Sequence, residues 1–219
     1  MFRIYCLLIG YAFGLFQTSY ILGKMHGIDI RDYGSGNAGT TNMMRTMGTK
    51  AGLITFAGDV AKTMIAVWLC YFIFRDRLPD MVPVIKIYAG AGAILGHNFP
   101  FYLNFKGGKG IACTAGLVLS YDPVISILGI ITFFSIFFAT HYVSLGSILV
   151  YVGLVTEFIV MGMNHWGCFR AASDAAVWES CVVMGLLAIM AFYKHRENIK
   201  RLLSGTEKKT YLKSKKSEG

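Results

Sequence analysis

The sequence predicts an all-α integral membrane protein with seven transmembrane helices, its functional motifs lying in cytoplasmic loops. Three observations carry that expectation. Of 219 residues, 55% are hydrophobic and only 15% charged, with a mean hydropathy of +0.54. Water-soluble chains carry about 45–50% apolar and about 25% charged residues. Apolar runs near the length needed to cross a bilayer recur along the chain. Short polar stretches rich in glycine and cations punctuate those runs. No soluble domain, linker or internal repeat interrupts the pattern, so residues 1–219 read as one membrane domain with a basic tail over 194–219.

The net charge of +9 would suggest nucleic acid in a soluble protein. Here much of it lies in the tail, a pattern that records orientation through the positive-inside rule, so no nucleic acid partner is expected. The five cysteines are odd in number and scattered, with no C-x-x-C, and read as helix-packing residues rather than as disulfides or a metal site.

Taken in order, the first span covers residues 4–22 and lacks a small-residue cleavage site, so it reads as a retained helix with its N-terminus outside. Gly10 and Gly14 within it have small-xxx-small spacing, a helix-contact pattern. A glycine-rich loop then runs to Lys50. Its centre, residues 34–42, holds Gly34, Ser35, Gly36, Asn37, Ala38, Gly39, Thr40, Thr41 and Asn42, and Arg45 closes it. Glycine permits positive φ and close backbone approach, so successive N–H groups can face one anion. Hydroxyl, amide and guanidinium donors add to that cradle. The second span, 51–74, holds Asp59 and Lys62 at i, i+3, on one face. Charges in a span face a polar interior, and a structural ion pair and a functional role fit equally.

The third span covers 81–96. The loop after it contains Pro100, several aromatic residues and then Lys106, Gly107, Gly108 and Lys109, a glycine–lysine turn that is not a Walker P-loop. Residues 111–140 form either one long tilted helix or two helices broken at Asp122-Pro123, and the proline favours the break. Spans over 145–163 and 176–193 follow, separated by the loop 164–174. With the break there are seven spans, and both glycine loops, Ser144 and the basic tail share the cytoplasmic side. Without it the tail faces away from both loops.

That side would collect Arg45, Lys106, Lys109 and the tail residues 194–201, a set of cations and backbone donors suited to phosphorylated ligands. His195 could serve as general base or donate to an oxyanion, with Asn198 one turn on to orient it. The outer lysines, among them Lys208, Lys209, Lys213, Lys215 and Lys216, read as lipid head-group contacts. No H-E-x-x-H, G-x-S-x-G elbow, Cys–His motif or H-x-x-x-x-D pattern occurs.

In order and spacing, "GIDIRDYGSGNAGTTNMMRTMG", "GHNFPFYLNFKGGKGIA" and "HRENIKRLLSGTE" resemble the three cytoplasmic motifs of the bacterial acyl-phosphate-dependent glycerol-3-phosphate acyltransferases, the PlsY family. "GDVAKT" resembles that family's D-x-x-K-G. The resemblance implies an inner-membrane enzyme of seven helices with no metal or other cofactor. It would move a fatty acyl group from acyl phosphate to glycerol 3-phosphate, beginning phospholipid synthesis, with a functional link to an acyl-phosphate-producing enzyme.

On that resemblance Ser35, Asn37, Ala38 and Gly39 cradle the acyl phosphate, with Gly36, Thr41, Asn42, Gly107, Gly108 and Lys109 completing the substrate-binding set. Arg45, Lys106, Ser144, His195 and Asn198 hold glycerol 3-phosphate, and Asp59 and Lys62 support the site. Either His195 or the substrate's own phosphate would take the proton. Four positions depart from the family pattern: Thr40 and Thr63 replace Ala and Gly, His141 stands where Arg is usual, and Ser-Ile-Pro is missing near Ser19. The competing expectations are a transporter for a phosphorylated solute, which would place cations near the midplane, and a simple anionic-lipid anchor.

Overall fold

A computed structural model of the chain describes residues 1–211. Its helices are α1 (Phe2–Gly14), α2 (Thr18–Met25), α3 (Thr40–Phe74), α4 (Val82–Asn98), α5 (Ile111–Tyr121), α6 (Pro123–Thr140), α7 (Val143–Met163), α8 (Asp174–Lys194) and α9 (Arg196–Leu203), with no strand among the described residues. Five stretches are long and apolar enough to cross a membrane: α1 with α2, then α3, α6, α7 and α8. α4 and α5 are shorter, at 17 and 11 residues. The expected lysines Lys213, Lys215 and Lys216 lie outside the described residues.

α4 is the central post, packed against α1, α3, α5 and α8 and buried almost all round. Small residues make its closest contact possible. A Cβ on Gly10 or Gly14 of α1 would run into the Ala89 or Ala93 carbonyl, and one on Gly92 or Gly96 of α4 into the Leu7 or Tyr11 carbonyl. Helices lacking a hydrophobic driving force in lipid gain from such backbone approach. The spacing of Gly10 and Gly14 anticipated it.

Two helices depart from the expected spans. The first is broken at residues 15–17 rather than continuous over 4–22. Side chains take up the carbonyls freed by the break: buried Gln17 donates to the Gly14 carbonyl at 3.3 Å and Lys62 to the Phe16 carbonyl at 2.6 Å, while Gln17 also ties the break to α4 through the His97 carbonyl at 3.0 Å. The second begins at Thr40, eleven residues before the expected Ala51, and bends sharply at Gly48 (φ 86°, ψ 172°), so that Met44 packs on Gly52. Thr41, Asn42 and Arg45 therefore sit on a helical turn and not in a loop.

The break at Asp122-Pro123 is present. Asp122 caps α6 by accepting from the Val124 N–H at 2.8 Å, and Ser126 donates back to the Val118 carbonyl at 2.9 Å. α5 and α6 thus form a hairpin. Lys86 supports its turn by donating to the Tyr121 carbonyl. The hairpin returns the chain to the end of the bundle where α3 begins.

Candidate active site

Four separated segments meet at that end: residues 29–45, 97–112, the start of α7, and the tail beyond α8. They enclose a cleft of about 170 Å³ and share Arg45, Lys109, Asn198 and Arg201 with a second cavity of about 570 Å³ beside it.

The first segment is buckled by Asn42. Its amide donates to the Ile30 and Tyr33 carbonyls, and its Oδ1 accepts from the Ser35 N–H at 2.8 Å and hydroxyl at 3.2 Å. Gly34 turns there with φ 61°, and any Cβ would strike Asn42 Oδ1, so this glycine is required on two counts. Asp29 accepts from Arg31, whose guanidinium also reaches the Leu103 carbonyl and ties the first loop to the second. The Arg31 bond holds the Asp29 pKa down, at about 2.

The second segment packs on the end of α4. The Gly108 N–H bonds to the His97 carbonyl at 3.1 Å, and a Cβ on Gly107 or Gly108 would collide with His97. Lys109 projects inward and donates to Asn198 Oδ1. Burial, reinforced by Arg201, lowers its pKa to about 8.

The tail closes the cleft. Glu207 Oε1 accepts from Ser144 Oγ at 2.8 Å and from Asn198 Nδ2 at 2.7 Å, and its Oε2 accepts from Arg201 at 2.7 Å. Burial alone would raise the Glu207 pKa, but these three donors outweigh it and hold the carboxyl below its usual value. Arg45 donates to Thr210 Oγ1, and the Thr210 N–H bonds to the carbonyl of His141. The backbone at His141 thus anchors the tail, and the His141 ring packs against Tyr211 at 4.8 Å between centroids.

His195 and Asn198 face the same cleft, although His195 itself is not helical. It is the junction between α8 and α9, 3% exposed. Its Nδ1 lies 2.8 Å from the Ala191 carbonyl, which can only accept, so Nδ1 carries the proton and Nε2 is an acceptor. Burial, then the Lys109 charge, lowers its pKa to about 4. An imidazole in this state accepts a hydrogen bond from a hydroxyl and has no proton on Nε2 for an oxyanion. That arrangement suits accepting from a hydroxyl better than donating to an oxyanion.

At the inner end, Asp59 and His97 line the cleft on a floor held by Lys62, whose Nζ lies 2.8 Å from Asp59 Oδ1 and 3.1 Å from His97 Nδ1. Asp59, His97 and Cys113 cluster closely enough to hold an ion, a Cys–His proximity that linear spacing did not show. The Lys62 ammonium already supplies the positive charge to Asp59 and His97. Phe56, Phe133, Val143 and Ile111 give the cleft an apolar side.

The first cleft thus gathers Ser35, Asn37, Gly39, Thr41, Asn42, Arg45, Asp59, Lys109, Ser144, His195 and Asn198, and Gly36 lines the second cavity. Ala38 is buried in packing, as is Gly108, and Lys106 is exposed and lines neither cavity. Two residues escaped the sequence reading. Glu207 ends the third motif and His97 lies near the start of the second, but neither is assigned a role by the sequence alone.

A family model described as glycerol-3-phosphate acyltransferase matches residues 4–205. A glycerol-3-phosphate acyltransferase of Clostridioides difficile (strain 630) is 40% identical over 206 residues, 92% of each chain. One of Alkaliphilus metalliredigens (strain QYMF) is 39% identical over 95% of this chain and 96% of its own. Among solved structures, PlsY (YgiH), an integral membrane glycerol 3-phosphate acyltransferase, aligns in its glycerol 3-phosphate form with a TM-score of 0.79 and 29% identity, over 95% of this chain and 96% of that one. Its lysophosphatidic acid form aligns with a TM-score of 0.75 and 30% identity over 96% of both chains.

Proposed function

The chain belongs to the glycerol-3-phosphate acyltransferase family, and on that premise we propose that it transfers a fatty acyl group from acyl phosphate to the 1-hydroxyl of glycerol 3-phosphate. The products are lysophosphatidic acid and inorganic phosphate. The observation that carries this reading is the convergence of Arg45, Lys109 and Arg201 with the uncharged acceptor His195 around one cleft that also has an apolar side.

The chemistry asks for no protein nucleophile. Acyl phosphate is a mixed anhydride, so the acceptor hydroxyl attacks its carbonyl carbon directly. The new C–O ester bond forms, the bond from that carbon to the phosphate oxygen breaks, and phosphate leaves with the electron pair. The hydroxyl proton ends on the released phosphate. Positioning and stabilisation of the tetrahedral oxyanion are what the protein supplies.

Two phosphoryl groups need two cradles. The turn at Ser35, Gly36, Asn37 and Gly39 suits the donor, and Arg45, Lys109, Ser144, Asn198 and Arg201 suit glycerol 3-phosphate. His195 Nε2 would accept from the attacking hydroxyl and orient it. Lys106, exposed beside the glycine turn, would swing over the mouth once both anions are bound. The fatty chain would lie against Phe56, Phe133 and Val143, entering from the bilayer.

Counting α4 and α5 as crossings gives seven spans in the bacterial inner membrane, with the N-terminus outside and the cleft facing the cytoplasm. The α5–α6 hairpin supports this, because it is what brings the tail to the same end as both glycine loops. The donor is tested by offering purified protein acyl phosphate or acyl-CoA with labelled glycerol 3-phosphate. Product from acyl phosphate alone is expected, and product from acyl-CoA alone would overturn the donor assignment.

A further inference from the structure

The two oxygens of Asp59 are treated differently by the fold. Oδ1 accepts from Lys62 at 2.8 Å and from Thr18 Oγ1 at 3.0 Å. Oδ2 is buried and has no hydrogen-bond donor among the described residues, although the residue is only 1% exposed. Lys62 cannot supply one, because its remaining donors go to the Phe16 carbonyl and to His97 Nδ1. Leaving a buried polar atom without a partner costs about 1–3 kcal/mol, and such an atom in a native fold calls for an explanation.

A second atom in the same cleft has the same status. Thr40 Oγ1 is buried and unpartnered among the described residues, and Thr40 lines the cleft with Asp59. One atom is a carboxylate acceptor and the other a hydroxyl that can accept or donate. The cations, by contrast, come from Arg45 at the start of α3, Lys109 on the glycine turn, Arg201 on α9 and Lys208 beyond it.

We propose that Asp59 and Thr40 form a hydroxyl-recognition subsite for the acceptor substrate. Asp59 Oδ2 accepts a hydrogen bond from one hydroxyl of a phosphorylated polyol whose phosphate rests on the cations, and Thr40 Oγ1 pairs with a second. His97 is a positioning residue. Lys62 donates to its Nδ1, so its hydrogen is on Nε2, and the ring braces Gly108 while Lys62 holds Asp59 by one oxygen only. The subsite rests on the acceptor being glycerol 3-phosphate, and it names which groups distinguish that ligand from a bare phosphate ester.

The test measures binding of three probes to the purified full-length chain: inorganic phosphate, propyl phosphate and glycerol 3-phosphate. The wild type should bind glycerol 3-phosphate about tenfold or more tighter than propyl phosphate, the order expected when a buried polar atom is left without its partner. Asp59→Asn should abolish most of that preference and Thr40→Ala should reduce it about threefold, each leaving propyl phosphate affinity within about twofold. A purely structural role for Asp59 would lower the melting temperature and leave the preference intact, which overturns the proposal. If Asp59→Asn does not fold, Thr40→Ala decides, since its hydroxyl holds no other described group; full preference in that variant overturns the subsite. A wild type with no preference would count against the acceptor assignment itself.

Discussion

Lys109 and His195 show what a buried setting does to groups whose roles had been read from their type. Lys109 has its pKa lowered to about 8, so its positive charge is present below that value and is lost as pH rises through it. Affinity of the free cleft for phosphate should therefore fall above about pH 8, and Lys109→Arg, whose guanidinium keeps its charge throughout that range, should remove the fall. His195 moves the other way from expectation. With a pKa near 4 it stays neutral across the physiological range, and nuclear magnetic resonance of labelled histidine should find no midpoint for it between about pH 5.5 and 8. A midpoint near 6.5 would contradict the burial argument. The same depression means its share of stability is full above 6.5 and is lost as pH falls from there toward about 4. Asn198→Ala, Lys109→Ala and Lys106→Ala should each lower kcat/KM at least about tenfold, near 1.4 kcal/mol of transition-state stabilisation. The kinds of residue needed were legible in the sequence. Their protonation was not, because it depends on Ala191, Arg201 and burial contributed by distant segments.

Individual elements divide by whether apolar pattern or polar side chains decide them. The spans over 81–96, 145–163 and 176–193 match α4, α7 and α8 closely, since long apolar runs have few alternatives in a membrane. The α5–α6 break was readable because proline removes a donor. Two other interruptions were not. Gln17 and Lys62 donate to the Gly14 and Phe16 carbonyls freed at the break, and the bend at Gly48 lets Thr40 to Met47 form helix beside the loop they were assigned to. Gly48 has open space for a Cβ but an extended positive-φ backbone that is essentially glycine-only, so Gly48→Ala should destabilise by about 1–3 kcal/mol through strain alone. A lowered melting temperature with the glycerol 3-phosphate site intact would be its mark, and an unchanged one would mean the bend is not held. The tail strap is the remaining surprise. Glu207→Ala should cost about 1–3 kcal/mol, because Ser144, Asn198 and Arg201 all lose the carboxylate that gathers them.

Across the whole molecule the decisive feature is that loops far apart in sequence end on one face of a bundle built round α4. Helix parity made that expectation, and a single extra or missing crossing would have separated the tail from both glycine turns. Ser204→Cys, exposed on the strap, should label only from the cytoplasm when Cys168 is replaced by Ser, whereas labelling only from outside would refute the seven-span orientation. The gathering of Arg45, Lys109 and Arg201 at one end of the bundle also runs against a transport pathway, which would carry cations near the midplane. What parity could not supply is the distance between facing side chains, which only packing around α4 determines. The most direct measurement of the central claim incubates purified protein with acyl phosphate and glycerol 3-phosphate and follows both products with time. One lysophosphatidic acid should appear for each phosphate released, with neither formed when glycerol 3-phosphate is omitted. Folded protein that yields no lysophosphatidic acid, or that releases phosphate without it, would contradict the account.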